Sequence, residues 1–427
     1  MKTFLLHSLG CKVNSYENSA LATQLRAEGY EETSDEEKAD LIVLNTCSVT
    51  GKADQKSRQH ISAFRKKNPQ GILVVMGCYS QAHAKKAQEL GADIVLGSAG
   101  RSLVKGYVER FALTGEKIID VKKSVRHERY EELGATAFCD NARAYLKIQD
   151  GCDNFCSFCF IPQLRGNSRS RASKDIIEEA KQLVDGGYKE IVITGIHIGG
   201  YGKDLGDGSY RLSDLLEDIL KECPDLYRMR ISSLEESEID DKFISLLKNY
   251  PNIADHLHLS LQSGSSAVLK RMKRKYDTDA FLAKLADIRA VRPDIAITTD
   301  VIAGFPLESE QEWRQTMEFC EKANFAEIHV FPFSSRPNTY AATLPDTDPA
   351  VKKARVRELL ALSSQMRKGY ERRFYGCEME VLFEDYDAEK GLASGHTSNY
   401  LKVSVPSKVP LHGSVMTFTY GNKIASD

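Results

Sequence analysis

Over the first 125 residues, short apolar runs alternate with longer stretches whose apolar positions recur every three or four residues. The runs are "TFLLHS", "DLIVLN", "ILVVMG" and "DIVLG", and "SYENSALATQLRAEG" is one of the stretches between them. Strands alternating with helices predict a parallel sheet with covering helices. The charged segment "GEKIIDVKKSVRHERYEELG" then reads as a linker. From "AYLKIQ" onward the alternation resumes, with strands expected near 144–148, 190–194, 227–231, 256–260, 296–302 and 327–331. Six βα units make an open, partial barrel, two short of the complete eight, with a mouth wide enough for a large substrate. A long helical pattern, "DPAVKKARVRELLALSSQMRKGYERRFYG", closes this section. "MEVLFEDY", "GLASGHT", "YLKVSVP" and "SVMTFTY" after it read as a small all-β module. The expected class is α/β, with domains at 1–125, 138–365 and 366–427.

Composition fits that division. A chain of 427 residues is too long for one ordinary core. At 42% hydrophobic and 28% charged it reads as a soluble globular protein with no apolar run long enough to cross a bilayer. The N-terminal "MKTFLLHSLGCKVN" stops after three apolar residues, too soon for a secretory leader, so a cytoplasmic location with no membrane partner is expected. Fifty-eight Lys and Arg against 60 Asp and Glu give a net charge of −2, which excludes a broadly basic nucleic-acid binder but not a local basic patch. Ten cysteines in a reducing compartment point to metal or redox chemistry before a disulfide framework.

The cysteines are not spread evenly. "GCDNFCSFCF" places Cys152, Cys156 and Cys159 within eight positions, in the loop after the first barrel strand, on the face where such barrels keep their chemistry. Three thiolates suit a four-iron, four-sulfur cluster whose fourth iron is free to bind a small molecule. The alternative is a zinc site completed by a distant Cys or His, as in a zinc-stapled RNA-binding scaffold. Cys11, Cys47 and Cys78 follow the first, second and third strands, so a parallel sheet gathers them at one edge, where ligands collect. Taken singly, each of these three could be a small buried hydrophobe. Cys139, Cys223, Cys320 and Cys377 are isolated and read as structural.

The 4-then-3 cysteine spacing with Phe158 between the last pair resembles the radical S-adenosylmethionine superfamily motif. "LGCKVNSYE", "NTCSVT" and "GCYSQ" resemble the N-terminal domain of the methylthiotransferases, and "GLASGHTSNYLKVSV" resembles their TRAM module. The resemblance covers essentially the whole chain, with all three domains in the family's order. It implies two 4Fe-4S clusters, S-adenosylmethionine and a tRNA partner. On this resemblance Cys152, Cys156 and Cys159 hold the cluster that cleaves S-adenosylmethionine to a 5′-deoxyadenosyl radical, and Phe158 lies beside the adenine. Cys11, Cys47 and Cys78 hold the second cluster, which supplies sulfur. An electron donor such as a flavodoxin or ferredoxin is implied too.

Other segments fit the cofactor at the barrel mouth. "ITGIHIGGYG" offers Gly195 and His197, with a plain tight turn as the other reading. "LSLQSGS" offers Ser260 and Gln262, and "TDVIAGFPLE" offers Asp300. Asn338 stands where the family has a glycine, a turn that Asn can still adopt because it tolerates the left-handed conformation. Family members act on isopentenyl-adenosine in tRNA, on threonylcarbamoyl-adenosine in tRNA, or on a ribosomal-protein aspartate. "QDGCDNFCSFCFIPQLRGNSRSR" resembles the threonylcarbamoyl-adenosine branch most. Arg165, Arg169 and Arg171 within it are candidates for phosphate contacts to the anticodon loop, the other reading being pairing with nearby carboxylates. Tyr400 is a candidate for stacking on an RNA base, against a buried strand tyrosine.

Overall fold

The computed structural model describes residues 2–134 and 142–421. Cys139 lies outside them. The N-terminal sheet is formed by β1 (Thr3–Ser8), β2 (Glu31–Glu32), β3 (Leu41–Thr46), β4 (Ile72–Gly77), β5 (Ile94–Leu96) and β6 (Ile118–Asp120). All pairings are parallel, in the order β2-β1-β3-β4-β5-β6. The four strands read from the sequence sit centrally, and the other two are short edges. β6 falls inside the segment read as a linker, where Ile118 is buried beside Ile94 while charged neighbours mask the signal. Alternate side chains feed two cores. Phe4, Val43, Val74 and Ile94 pack with Leu21 and Leu25 on one face, while Ile42, Leu44, Val75 and Val95 pack with Ile61 and Phe64 on the other. Burial on both faces is why these strands read as continuous apolar runs.

The second unit holds β7 (Arg143–Asp150), β8 (Arg169–Ser170), β9 (Glu190–Gly195), β10 (Arg228–Ile231), β11 (His256–His258), β12 (Ala296–Ala303) and β13 (Glu327–Pro332). β10, β9 and β7 form one parallel run, and β11, β12 and β13 another. Isolated parallel bridges, Met229 with Ile253 and Leu234 with Leu259, join β10 to the β11 side. Six parallel strands therefore run in chain order around an open barrel. The two-residue β8, unexpected from the sequence, pairs antiparallel with β7 at the open edge. Outward-facing Leu146, Ile193, Met229, Leu257 and Ile297 pack with the surrounding helices in one large core. No described helix is long and apolar enough to cross a membrane.

The helix Pro349–Arg372 leads into β14 (Glu378–Asp387), β15 (Leu392–Thr397), β16 (Lys402–Pro406) and β17 (Val415–Thr419). They form an antiparallel sheet ordered β16-β15-β14-β17, the all-β module expected from the sequence.

Candidate active site

The N-terminal triad follows directly from the strand order. Cys11 caps the helix Lys12–Ala27 just after β1, Cys47 follows β3, and Cys78 opens the helix Cys78–Glu89 after β4. β1, β3 and β4 are adjacent, and at roughly 4.8 Å per strand the three cysteines span about 10 Å at one sheet edge. Gly10, at φ +101°, lies against Cys47 so closely that an added Cβ would meet its Cβ at 2.7 Å and its Sγ at 2.8 Å. Burial, with Cys78 and Cys11 nearby, pushes the Cys47 thiol up to about 12, and burial raises Cys78 as well. Thiols so disfavoured as anions become thiolates when a metal supplies the positive charge, so this donor set fits a cluster.

The second triad sits on the loop after β7. Burial pushes Cys152 and Cys159 up to about 12, with neighbouring thiols adding to the effect. Cys156 receives an N–H from Arg274 at 3.3 Å, and Arg274 pairs with Glu235 at 2.9 Å. Beside this loop Asn154 bridges Glu235 (2.7 Å) and the His197 ring (3.1 Å), and His197 pairs with Glu238. His197, Glu235 and Glu238 bring their polar atoms within 4.8 Å of one another, a group able to receive a ligand's ammonium. A cleft of about 540 Å³ opens beside Cys156 and Cys159, with Phe155, Lys273 and Tyr340 on its walls. Three clustered, partly buried thiols and a polar crown fit a cluster with a small polar molecule bound to it.

The candidate cofactor residues divide. His197 reaches the cysteine loop through Asn154. Gly195 has no room for a side chain, since a Cβ there would lie 2.8 Å from Ile198 and 2.9 Å from the Gln149 carbonyl. The Ser260 carbonyl accepts from both Arg274 (3.3 Å) and Tyr276, which ties it to Cys156. Phe158 is half-buried and meets Phe305 edge-on at 6.4 Å. Gln262, at φ +69°, exchanges backbone hydrogen bonds with Asp300 and Ile302. Asp300 points along the barrel wall to His258 at 3.3 Å. Asn338 adopts φ +58°, the left-handed turn that a glycine would make.

The arginine expectation requires correction. Arg165 is fully buried, pairing with Glu17 at 3.0 Å and Asp150 at 3.2 Å, donating to Asn14 at 2.8 Å and contacting Cys78 Sγ at 3.4 Å. Arg169 is buried against Asp150 at 3.3 Å, and Arg171 against Glu132 at 2.9 Å and Glu179. None of the three presents a guanidinium to an RNA backbone, because each is already neutralised inside the protein. Tyr400 is likewise not an open stacking platform. Its ring lies between His256 (4.9 Å) and His396 (4.7 Å), with the Arg230 guanidinium at 4.7 Å.

The misplaced arginine shows how the triads meet. Arg165 lies six residues beyond Cys159 yet touches Cys78, and Cys78 packs against Phe160 and Leu164. Glu17 also binds Lys147 at 3.1 Å and Arg101 at 2.8 Å. A buried charge network thus clamps the sheet edge of the first unit to the cysteine loop of the second. Asn154, Glu235, Glu238 and Arg274 were not singled out from the sequence. The signal available was position: "SSLEESE" follows β10 at the carboxyl edge, where barrel enzymes place functional groups.

Residues 3–97 match the model of the Uncharacterized protein family UPF0004, and residues 146–320 that of the Radical SAM superfamily. The chain is 42% identical over 421 residues to the threonylcarbamoyladenosine tRNA methylthiotransferase MtaB of Bacillus subtilis, covering 97% of this chain and 93% of that protein. The chain belongs to the radical S-adenosylmethionine methylthiotransferase family. The MtaB of Thermotoga maritima is 37% identical, covering 94% and 91%. The tRNA-2-methylthio-N(6)-dimethylallyladenosine synthase of Bacillus subtilis is 33% identical, covering 90% and 76%. Among solved structures, the radical S-adenosylmethionine methyltransferase TsrM of Kitasatospora setae aligns at a TM-score of 0.59 and 14% identity, over 80% of this chain and 77% of its own, a likeness of fold.

Proposed function

We propose that this methylthiotransferase inserts a methylthio group at C2 of N6-threonylcarbamoyladenosine, beside the anticodon of tRNA. The observation that carries the reading is the meeting of the two cysteine triads at one interface, Cys78 packed on Phe160 next to Cys159. The relatives named above that cover more than nine-tenths of their own length act, by name, on threonylcarbamoyladenosine tRNA, which favours that substrate over dimethylallyladenosine.

Cys152, Cys156 and Cys159 would hold one four-iron cluster and Cys11, Cys47 and Cys78 the other. With S-adenosylmethionine, these groups supply radical cleavage of the strong C2–H bond, a sulfur atom and a methyl group, chemistry beyond side-chain acids and bases. The chain's own part is to hold and shield. Arg274 donates to Cys156, and Arg165 to Cys78, so each triad has one sulfur fixed by a buried cation. Glu235 and Glu238 accept hydrogen bonds at the barrel mouth, Glu235 from Asn154 and Glu238 from the His197 ring. The Arg165 clamp fixes the distance between triads.

Mass spectrometry of tRNA nucleosides from cells with and without the gene tests the assignment. Loss of 2-methylthio-N6-threonylcarbamoyladenosine with accumulation of its unthiolated precursor is expected, and an unchanged nucleoside refutes the substrate. In the purified enzyme, Cys78→Ala should keep S-adenosylmethionine cleavage while abolishing methylthio product. Retained product would remove the second triad from sulfur insertion.

A further inference from the structure

The inward face of this barrel is largely polar, with Val192 of β9 an apolar exception. Barrel interiors are ordinarily filled by branched apolar side chains. Here Met229 and Ile231 of β10 and Leu257 of β11 face the helices, so Arg230, Ser232, His256 and His258 face inward. The contacts agree: His256 and His258 each meet Thr298 at 3.0 Å, and His258 stacks on His329 at 5.6 Å. Two buried groups on this wall, each 7% exposed, have no partner among the described residues: Ser232 Oγ and His256 Nδ1. An unmatched buried hydroxyl and imidazole cost stability unless something polar comes to meet them.

Lys12 stands across from that wall. It follows Cys11 in the first turn of a helix that packs over β7 and β9. The charges acting on it are Arg230, Arg143 and Glu190, from the inward faces of β10, β7 and β9. Those arginines are committed: Arg230 to Glu190 at 2.8 Å, Arg143 to Glu384 and Glu190. Lys12 has no hydrogen-bond or ion-pair partner among the described residues, although its side chain is open to solvent. It is a free cation next to a cysteine of the proposed sulfur-supplying triad, facing a wall with spare polar groups.

We propose that Lys12 pairs with the carboxylate of the threonylcarbamoyl substituent while the Ser232 and His256 wall receives its polar remainder, making this interior the specificity subsite for the modified base. The inference rests on the substrate reading above. It also explains the choice of substrate, since an isopentenyl group offers neither carboxylate nor hydroxyl and would leave these groups desolvated and unpaired. Sites built around polar partners reject apolar analogues strongly for that reason.

The test is equilibrium binding of the reconstituted full-length enzyme to two anticodon stem-loops, one carrying N6-threonylcarbamoyladenosine and one unmodified adenosine. Wild type should prefer the modified loop by at least about tenfold. Lys12→Gln should abolish the preference with binding of the unmodified loop and iron content unchanged, and Lys12→Arg should restore part of it. Ser232→Ala, on the barrel wall and not a cysteine neighbour in sequence, should weaken the modified loop alone by a few-fold. Preference retained in Lys12→Gln overturns the subsite. If Lys12→Gln loses iron, Ser232→Ala decides, and an unchanged preference there overturns it. A wild type with no preference, or one whose cellular tRNA nucleosides are unaltered by its loss, overturns the substrate reading instead.

Discussion

Replacing Arg165 by Met removes the cation at the centre of the interdomain network while nearly keeping its volume. Arg165 and Glu17 are fully buried and Asp150 is 3% exposed at its side chain, with guanidinium-to-oxygen distances of 3.0 and 3.2 Å. Leaving a buried partner uncompensated costs about 3–5 kcal/mol. Three cations remain on the two carboxylates: Lys147 at 2.8 Å and Arg169 at 3.3 Å from Asp150, and Arg101 at 2.8 Å from Glu17. The lower end, about 3 kcal/mol, is therefore expected. The cations hold both carboxyls well below the usual range despite their burial. A depressed folded pKa contributes stability that is complete above the unfolded value, near 4, and is lost as pH falls through the folded one. The deficit of Arg165→Met should thus be full from neutrality down to about pH 5 and shrink in stronger acid. Urea denaturation of the apoprotein at a series of pH values measures it. A deficit below about 1 kcal/mol at pH 7, or one that grows in acid, would show that Arg165 does not clamp this interface.

Two further outcomes follow from close packing. Gly10→Ala forces a methyl into Cys47 from a backbone at φ +101°, so iron after anaerobic reconstitution should fall from about eight atoms per chain to about four, and unchanged iron would refute the placement of Cys47 in a cluster. Tyr400→Ala removes two histidine stacks and the Arg230 contact, together about 2 kcal/mol, and should loosen the C-terminal module; hydrogen exchange at His256 and its neighbours should rise. A fall in tRNA affinity with unchanged exchange would instead return Tyr400 to the role of a base-stacking residue.

The parts of the fold that could be read from the chain are those set by local pattern. Strands β3, β4 and β5 were legible because burial on both faces makes them mainly apolar, and β1 through its apolar centre Phe4–Leu6; once they are parallel neighbours the three scattered cysteines must meet. Asn338 kept its left-handed turn because the tolerance is a property of the residue itself. What was not legible depends on long-range partners. "RGNSRSR" beside a reactive loop looks like a phosphate site until Glu17, 148 residues from Arg165 in sequence, is brought against it. Charge in a sequence shows that a partner is needed, not whether that partner is an RNA phosphate or a distant carboxylate.

The same distinction explains how an incomplete barrel can be both open and polar. With two βα units missing, the lumen cannot be closed by its own strands, and the neighbouring modules cover it. The helix Lys12–Ala27 lies over β7 and β9, bringing Cys11 and Lys12 to the chamber. On the same chamber, Arg230 donates to the Thr397 and Ser398 carbonyls, and Tyr400 stacks on His256, so the C-terminal module closes the floor. A chamber walled by three modules has no hydrophobic core of its own to fill. Its interior side chains are then free to be selected for what they bind, and its geometry depends on the charge pairs that hold the modules together. That dependence is why Arg165, although it reaches no substrate, should influence the reaction as strongly as a residue that does.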